Sequence, residues 1–312
     1  MELERAKYKV IICDSFAEKG IERLSSQFDV TYLPKINSQE LLNKIHEYDI
    51  VIVRGRTKIT KEVITKGENL KIIGRAGIGL DNIDLKSAES KGIKVFNTPE
   101  SSTNAVAELT MGLMIDLARG ISKGDFGMKH GNWLKDELMG FELKGRTLGI
   151  IGMGRIGTQV ARLAKAFGMK ILVYDIIELD KEILNEVGAK VVSLDELLSS
   201  SDFVSLHVTL TDETYHMIDE EKLSKMKKGA YLINTARGPV VDEKALLKAL
   251  QSGLIKGAAL DVFEIEPPSS DELVKLNSVI ATPHIGAQTR EAQDLAATLL
   301  VEKIIEALSK KD

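Results

Sequence analysis

The sequence feature that most constrains the fold is a glycine triplet directly after an apolar run of strand length. The run is Thr147–Ile151, and Gly152, Gly154 and Gly157 then form the pattern G-x-G-x-x-G. An amphipathic stretch of helical character continues to about Phe167. In such a unit the first glycine permits a tight turn, the second lets the backbone approach a ligand, and the third lets the helix pack against the strand. The segment therefore predicts a strand–turn–helix unit of a parallel α/β sheet.

The same unit has the features of a dinucleotide site. A helix N-terminus favours phosphate, because its free amides and its dipole attract negative charge. Asp175 ends the next predicted strand, 18 residues after Gly157, where a carboxylate can accept hydrogen bonds from a ribose 2′-hydroxyl. The same carboxylate repels a 2′-phosphate, and Ile176 and Ile177 supply no compensating cation. These features favour NAD over NADP, whereas the motif alone also fits a structural turn with a capping aspartate. The predicted cofactor-binding residues of this unit are Gly152, Gly154, Arg155, Ile156, Gly157 and Asp175.

Apolar runs of strand length alternate with helical patterns along almost the whole chain, which predicts parallel sheets covered by helices. A long amphipathic helix is predicted over Ser101–Arg119, an exposed loop or arm with Trp133 over Gly120–Gly145, and a last helix over Arg290–Leu308. The length of 312 residues favours two domains, and the six strands of the second series suit a doubly wound sheet. The predicted strands are 9–13, 30–33, 50–53 and 71–74, then 147–151, 170–174, 203–207, 230–234, 258–262 and 279–281.

Composition excludes several classes of protein. The net charge of −4 argues against nucleic acid as the main partner, and no apolar run approaches the ~18 residues of a membrane span. A single cysteine, Cys13, rules out an internal disulfide framework and leaves no soft metal cluster, so no metal is expected. The charged N-terminus precedes an apolar run that is too short for a signal peptide. These observations predict a cytoplasmic protein.

Polar residues of catalytic type follow three later strands, where ligands of open α/β sheets bind. They are Arg237, Glu266 and His284. His284 is the best candidate base of the five histidines, since imidazole titrates near neutrality and Glu266 would favour its protonated form. Arg237 offers a planar bidentate contact for a substrate carboxylate. The alternative is a surface histidine, a surface arginine and a glutamate in a turn.

Six segments resemble the D-2-hydroxyacid dehydrogenase family, and within it the phosphoglycerate dehydrogenases most closely. They are 74–84, 97–110, 143–157, 234–246, 257–268 and 282–293. The resemblance implies a Rossmann-type NAD-binding domain, 99–287, inserted into a smaller flavodoxin-like α/β substrate domain made of 1–98 and 288–312. It also implies that Arg237, Glu266 and His284 are the family's catalytic arginine, glutamate and histidine.

The resemblance implies further ligand contacts. Near the nicotinamide and the cofactor cleft it places Asp261, Thr235, Ala236, Gly286 and Val208, beside His207 at a predicted strand end. For the substrate's carboxylate or phosphate it implies Arg54, Gly55, Arg75, Ala76 and Gly77, with Ser102 nearby. Two positions depart from the family pattern: Thr209 replaces a common proline, and Ser102 stands where phosphoglycerate dehydrogenases often have asparagine. The second departure weakens the substrate assignment slightly.

The expected function is NAD-dependent oxidation of 3-phosphoglycerate to 3-phosphooxypyruvate, the first step of serine synthesis. A glyoxylate or hydroxypyruvate reductase shares every catalytic residue and stays an alternative. An NAD(H)-sensing corepressor is the alternative outside the enzymes. The arm around Trp133 resembles the family's dimer-forming segment, which implies a homodimer through the NAD-binding domain. Because the last helix ends near Asp312, we expect no C-terminal regulatory domain and no feedback by serine through one.

Overall fold

The chain divides into two compact units in the computed structural model, which describes residues 8–268 and 271–309. The first unit is Met1–Ser102 with Ala287–Asp312, and the second is Thr103–Gly286. The first unit is therefore discontinuous in sequence. The first boundary, after residue 102, lies four residues beyond the predicted boundary after residue 98. The second boundary, after residue 286, lies one residue before the predicted boundary after residue 287.

The first unit contains a five-stranded parallel sheet in the order β2-β1-β3-β4-β5. The central strand β3 is IVIV, and all four of its residues are buried on both faces of the sheet, as expected for a parallel strand under helices. The strand order is that of flavodoxin-like folds. The strands are β1 Lys9–Ile12, β2 Asp29–Tyr32, β3 Ile50–Val53, β4 Ile72–Arg75 and β5 Lys94–Asn97. The helices are α1 Glu18–Ser25, α2 Ser38–Lys44, α3 Lys61–Lys66, α4 Leu85–Ser90 and α13 Arg290–Ser309, with a 3-10 turn at Ile45–Glu47.

Helix α13 completes the core of the first unit although it lies about two hundred residues beyond the rest of that unit. Its buried residues include Leu300, Val301 and Ile304, which share one apolar cluster with Val10 and other residues of the sheet. Gly74 in β4 makes this contact close, because a Cβ there would lie 3.2 Å from the Leu300 side chain. Burial of the apolar residues of α13 therefore stabilises this sheet.

The second unit contains a seven-stranded parallel sheet in the order β12-β11-β10-β9-β6-β7-β8. The strand order reverses between β6 and β9, and this switch point is where open α/β sheets bind ligands. Strand β8 here and β5 in the first unit are not predicted from the sequence, and both are short and only partly buried. The strands are β6 Thr147–Ile151, β7 Lys170–Tyr174, β8 Ala189–Val191, β9 Phe203–Leu206, β10 Tyr231–Asn234, β11 Gly257–Leu260 and β12 Val279–Ala281. The helices are α5 Thr103–Arg119, α6 Ile121–Lys129, α7 Arg155–Ala166, α8 Lys181–Val187, α9 Leu194–Ser200, α10 Glu220–Lys225, α11 Glu243–Gln251 and α12 Asp271–Val274, with a 3-10 turn at Gly238–Val240.

The two parallel sheets confirm the predicted fold class, and the arm differs in one respect from the prediction. The region 120–145 is not entirely loop, because it begins with the helix α6. None of the helices among residues 8–268 and 271–309 has both the length and the apolar character of a membrane span.

Candidate active site

The glycine turn after β6 has the backbone geometry that the motif predicts. Gly152 has φ +90°, and its amide donates to the Tyr174 carbonyl at 2.9 Å. A Cβ at Gly157 would lie 2.1 Å from the Gly152 carbonyl oxygen, so only glycine lets α7 approach the turn. Gly154 directly precedes α7 and faces open space. Without a side chain to cap the helix, Gly154 leaves the amides of the first turn available to a phosphate, as the cofactor requires.

Asp175 lies at the carboxyl end of β7, beside the glycine turn. Its Oδ2 accepts from the Met153 amide at 2.7 Å, and its Oδ1 accepts from the Ile176 amide at 2.7 Å. The carboxylate is thus fixed next to the helix N-terminus. Ile176 is 88% exposed and offers an apolar surface beside the carboxylate. The open cradle at Gly154 and the fixed carboxylate together fit the phosphates and the ribose of a dinucleotide.

The segment after β9 lies against the glycine turn on the other side of the switch point. A Cβ at Gly152 would lie 2.9 Å from both the His207 carbonyl oxygen and Val208 Cγ1. His207 Nε2 is 2.9 Å from the Ser205 hydroxyl, and its buried Nδ1 has no hydrogen-bond partner among the described residues. Burial lowers the pKa of His207 to about 3, so this imidazole is neutral at physiological pH. His207 is therefore unsuited to the role of a base near pH 7.

Arg237 follows β10 in a turn that a buried side chain organises. Asn234 Oδ1 accepts from the Ala236 amide at 3.0 Å, and Asn234 Nδ2 donates to the Arg237 carbonyl at 2.9 Å. Thr235 is buried, and its hydroxyl lies 3.0 Å from that of Thr110 on α5. Asn234 is not among the residues predicted from the sequence, although a polar residue at the last, buried position of an apolar strand is a signal of such a role.

Asp261 follows β11 and organises the segment that carries His284. It is 1% exposed, and its Oδ1 accepts from the Thr282 hydroxyl at 2.6 Å and from the Ile285 amide at 2.8 Å. Its Oδ2 accepts from the Gly286 amide at 2.8 Å. Three donors thus satisfy this buried charge, as a buried carboxylate requires. Asp261 therefore holds residues on both sides of His284, a set of contacts that is not predicted from the sequence.

Glu266 and His284 form a hydrogen-bonded pair. His284 Nδ1 lies 2.7 Å from Glu266 Oε2, and the Phe263 amide donates to Glu266 Oε1 at 3.2 Å. Burial raises the pKa of Glu266, but the hydrogen bond and charge of His284, the Phe263 amide and the charge of Arg237 outweigh it, and the pKa falls below its usual range. Glu266 is therefore ionised, and its carboxylate faces the Nδ1 side of His284.

The backbone of His284 is unusual, with φ +51°, and the side chain is 50% exposed. Non-glycine residues rarely adopt this left-handed conformation, and such outliers concentrate at functional sites. Because Nδ1 faces Glu266, Nε2 is the nitrogen available to a ligand. Arg237, Glu266 and His284 follow the neighbouring strands β10, β11 and β12, so an acid–base group and a cation lie at one edge of the sheet.

In the first unit, a buried carboxylate shapes the turn that carries Arg54. Asp14 Oδ2 accepts from the Arg54 amide at 2.6 Å, and Asp14 Oδ1 accepts from the Thr57 hydroxyl at 2.6 Å. Asn82 donates to the Arg54 carbonyl at 2.8 Å. Burial lowers the pKa of Arg54, although the charge of Asp14 opposes this effect. Asp14 and Asn82 were not selected from the sequence, since isolated polar residues in loops carry no pattern.

The Arg54 side chain borders a cavity of about 420 Å³ within the first unit. Its guanidinium donates to the Ser15 hydroxyl at 3.1 Å and to Gln288 Oε1 at 3.5 Å. Arg290 and the carboxylate Asp294 also line this cavity. A cavity bordered by two arginines can accept an anionic group.

The other predicted substrate residues lie at the carboxyl end of the same sheet. Arg75 ends β4, and its guanidinium donates to the Ala76 carbonyl at 3.1 Å. Gly77 has φ +138°, and a Cβ there would lie 1.5 Å from the Arg75 guanidinium. Gly55 is exposed, with open space at its Cβ position, whereas Ser102 is buried. The structure therefore groups Arg54 and Gly55 on one turn and Arg75, Ala76 and Gly77 on the next.

Comparison with known proteins agrees with this architecture. The family described as "D-isomer specific 2-hydroxyacid dehydrogenase, NAD binding domain" matches residues 111–286. A D-3-phosphoglycerate dehydrogenase of Methanocaldococcus jannaschii is 47% identical over 96% of this chain, which spans 57% of that protein's length. A hydroxypyruvate reductase of Thermotoga maritima is also 47% identical, over 97% of this chain and 99% of its own. A crystal structure of D-lactate dehydrogenase from Aquifex aeolicus, complexed with NAD and lactic acid, has a TM-score of 0.85 at 35% identity and covers 97% of this chain and 96% of its own.

The second unit is thus an NAD-binding domain, which confirms the cofactor that Asp175 and the glycine turn predict. The chain belongs to the family of D-isomer specific 2-hydroxyacid dehydrogenases.

Proposed function

We propose that the protein oxidises 3-phosphoglycerate to 3-phosphooxypyruvate, reversibly and with NAD. The observation that carries the dehydrogenase chemistry is the 2.7 Å contact between His284 Nδ1 and Glu266 Oε2, with Arg237 acting electrostatically on the same carboxylate. The phosphate-bearing substrate is supported by the cavity beside Arg54 and by the phosphoglycerate dehydrogenase among the relatives.

The roles of the three residues follow from their geometry and charge. In the oxidation direction His284 Nε2 accepts the proton of the substrate's 2-hydroxyl, and Glu266 stabilises the resulting imidazolium through Nδ1. Arg237 binds the substrate carboxylate and stabilises negative charge on the oxygen at C2. NAD, when bound, supplies the acceptor for the hydride that leaves C2. The C2 hydroxyl thus becomes a carbonyl, and one proton stays on His284.

The second candidate is a reductase of glyoxylate or hydroxypyruvate, and the hydroxypyruvate reductase of equal identity favours it. These substrates carry no phosphate, so a substrate panel separates the two functions. We expect kcat/KM for 3-phosphoglycerate to exceed that for D-glycerate and glycolate by about a hundredfold, since an arginine contact to phosphate contributes a charge-assisted hydrogen bond. A kcat/KM for glyoxylate or hydroxypyruvate that exceeds the kcat/KM for 3-phosphoglycerate would favour the reductase.

A substitution in the cavity beside Arg54 tests the phosphate contact directly. We expect Arg290→Gln to raise the KM for 3-phosphoglycerate about tenfold, because one charged hydrogen bond is lost, and to leave the KM for D-glycerate unchanged. Steady-state kinetics with both substrates measures this difference. Arg162→Gln is the matched control, since Arg162 forms an exposed ion pair with Glu186 elsewhere. An equal rise in KM for both substrates would count against a phosphate contact.

Asp175 offers a test of cofactor choice. We expect Asp175→Ala to raise the KM for NAD about tenfold, because ribose hydrogen bonds are lost, and to raise the kcat/KM for NADP relative to NAD. Parallel titrations with NAD and NADP measure both changes. Asp180→Ala is a matched control, since its carboxylate caps the following helix α8. An unchanged NAD-to-NADP ratio would show that Asp175 does not select the cofactor.

We further propose that the arm forms a homodimer with a second copy of the chain. Its apolar side chains are widely exposed, with Trp133 at 76%, Met139 at 89% and Phe126 at 63%. A segment that exposes several large apolar side chains is typical of an interaction surface. We expect Trp133→Glu with Met139→Glu to convert dimer to monomer in size-exclusion chromatography with light scattering. A parent protein that is a monomer in the same measurement would contradict this assignment.

A further inference from the structure

A second group of histidine and carboxylate side chains lies beside the catalytic pair, and the proposed reaction does not use it. It consists of His216, Glu243 and Glu264, which we call the clamp. His216 Nε2 lies 3.2 Å from Glu264 Oε1. The Glu243 amide donates to Glu264 Oε1 at 2.9 Å, and the Glu264 amide donates to Glu243 Oε1 at 2.8 Å. These contacts join the start of α11, the segment after β11 and the loop that contains His216.

The backbone of His216 points to a functional constraint. His216 and His284, at φ +48° and +51°, are the two non-glycine residues with a left-handed backbone among the residues that the structure describes. A solvated ion pair needs no such conformation, whereas positioned side chains at functional sites often have it. Both unusual histidines contact a glutamate of the same short segment, 264–266.

The clamp contacts the two segments that carry Arg237 and Glu266. The His216 amide donates to the Pro239 carbonyl at 2.8 Å, in the turn directly after Arg237. The His216 imidazole reaches Glu264, two residues before Glu266. The two segments themselves touch through backbone, because a Cβ at Gly238 would lie 1.8 Å from the Phe263 carbonyl carbon. A shift of His216 or Glu264 would therefore be transmitted to both catalytic side chains.

The charges of the clamp also act on the catalytic pair. Burial raises the pKa of Glu243, and the negative charges of Glu264 and Glu266 add to this rise, whereas the hydrogen bond from the Glu264 amide and the charge of His216 oppose it. The clamp and the pair thus share one electrostatic environment. The titratable groups around His216 are Glu264, Tyr215 and Glu243. His284 faces Glu266, and the charges of Arg237 and Glu243 interact with Glu266.

We propose that His216, Glu243 and Glu264 are positioning residues for the dehydrogenase reaction, which fix Glu266 and Arg237 relative to each other and so hold His284 in its working orientation. This inference rests on the proposed dehydrogenase function, whichever 2-hydroxy acid is the substrate. The three residues act through the segments that carry the catalytic side chains, and the proposal gives them no contact with substrate or cofactor.

Three variants test the positioning role by kinetics. His216→Asn keeps a residue that tolerates the left-handed backbone but is too short to replace the imidazole. Glu264→Ala removes the acceptor of the Glu243 amide, whereas Glu264→Gln retains an acceptor oxygen. We expect His216→Asn and Glu264→Ala to lower kcat about tenfold, since small misplacements of catalytic groups are costly, and Glu264→Gln to stay within about threefold of the parent. The KM for NAD should change less than about twofold in all three, because the glycine turn is not part of the clamp.

The pH profile of kcat/KM supplies a signature that a merely structural role would not produce. His284 must be neutral to accept a proton, so the rate of oxidation falls on the acidic side. His216→Asn removes the imidazole that opposes the negative charges acting on Glu243 and should move this acidic limb up by roughly 0.3 pH units. Glu243→Gln removes a carboxylate and should move the limb down by a similar amount. Glu243→Gln retains the oxygen that accepts from the Glu264 amide.

His46→Asn and Glu196→Gln are matched controls on exposed side chains and should leave kcat and the pH profile unchanged. If His216→Asn and Glu264→Ala keep the kcat and the acidic limb of the parent, the inference is overturned. Equal losses of kcat in Glu264→Ala and Glu264→Gln would also overturn it. Should His216→Asn fail to fold, the two Glu264 variants and Glu243→Gln test the inference by the same criteria. A parent enzyme without turnover of any 2-hydroxy acid would defeat the proposed function, and the inference with it. Turnover by the parent with unaffected variants defeats the inference alone.

Discussion

The His284→Asn variant should lose turnover by roughly a thousandfold, within the range measured for removal of a general acid–base group. Asparagine tolerates the left-handed backbone at this position, so the loss reports the imidazole and not the φ angle of +51°. A thousandfold loss corresponds to about 4 kcal/mol of transition-state stabilisation. Stopped-flow measurement of NADH formation at saturating substrate gives the single-turnover rate directly.

NAD binding is the control for this variant, because the glycine turn and Asp175 lie at other strand ends. We expect the dissociation constant for NAD, from quenching of protein fluorescence, to stay within about twofold of the parent value. His46→Asn, an exposed histidine, should behave as the parent does. Retained turnover in His284→Asn would remove His284 from the mechanism. Undiminished NAD binding by a parent protein that turns over no hydroxy acid would favour the NAD(H)-sensing alternative.

Arg237→Lys should show the second large effect, although it conserves the charge. Lysine is a point charge and cannot form the two parallel hydrogen bonds of a guanidinium to a carboxylate. We expect kcat/KM for the 2-hydroxy acid to fall by about two orders of magnitude, as expected for loss of bidentate binding that also stabilises the oxygen at C2. Steady-state kinetics at saturating NAD measures the loss.

The matched control for this substitution is Arg162→Lys, whose side chain pairs with Glu186 on the surface of the same unit. Its kcat/KM should equal that of the parent, since exposed ion pairs contribute little. Because the charge of Arg237 helps to hold the pKa of Glu266 below its usual range, Arg237→Lys should preserve the acidic limb of the pH profile. A loss of kcat/KM below about threefold would show that Arg237 does not bind the carboxylate bidentately.

Local patterns were enough to predict the parallel sheets and the dinucleotide unit. Strand-length runs such as Thr147–Ile151 and the glycine spacing at 152–157 act within a few residues, where hydrophobic periodicity and allowed φ angles decide the structure. Strands β5 and β8 escaped prediction because both are short edge strands whose residues are only partly buried. The helix α6 escaped because glycines within it mask the helical pattern.

The candidate site could be predicted only in part, for a related reason. The order of strands places Arg237, Glu266 and His284 at neighbouring strand ends, which a sequence pattern can indicate. The pattern does not show that Asp261 binds the amides of 285 and 286, or that Asp14 holds the Arg54 turn. Each of these contacts joins residues 24 to 40 positions apart, and a polar residue in a loop has many possible partners before the chain folds.

The sequence by itself determined where most of the strands and helices form, which cofactor suits the glycine turn, and which side chains stand at strand ends. Tertiary structure alone decided which residues of α13 pack on the first sheet, how closely Glu266 approaches His284, and that His216 bridges the segments of Arg237 and Glu266. The physical reason is the distance along the chain over which each effect acts. Propensity and periodicity act along the chain, whereas a side-chain hydrogen bond or a left-handed φ at a histidine is stabilised only when separate segments pack together.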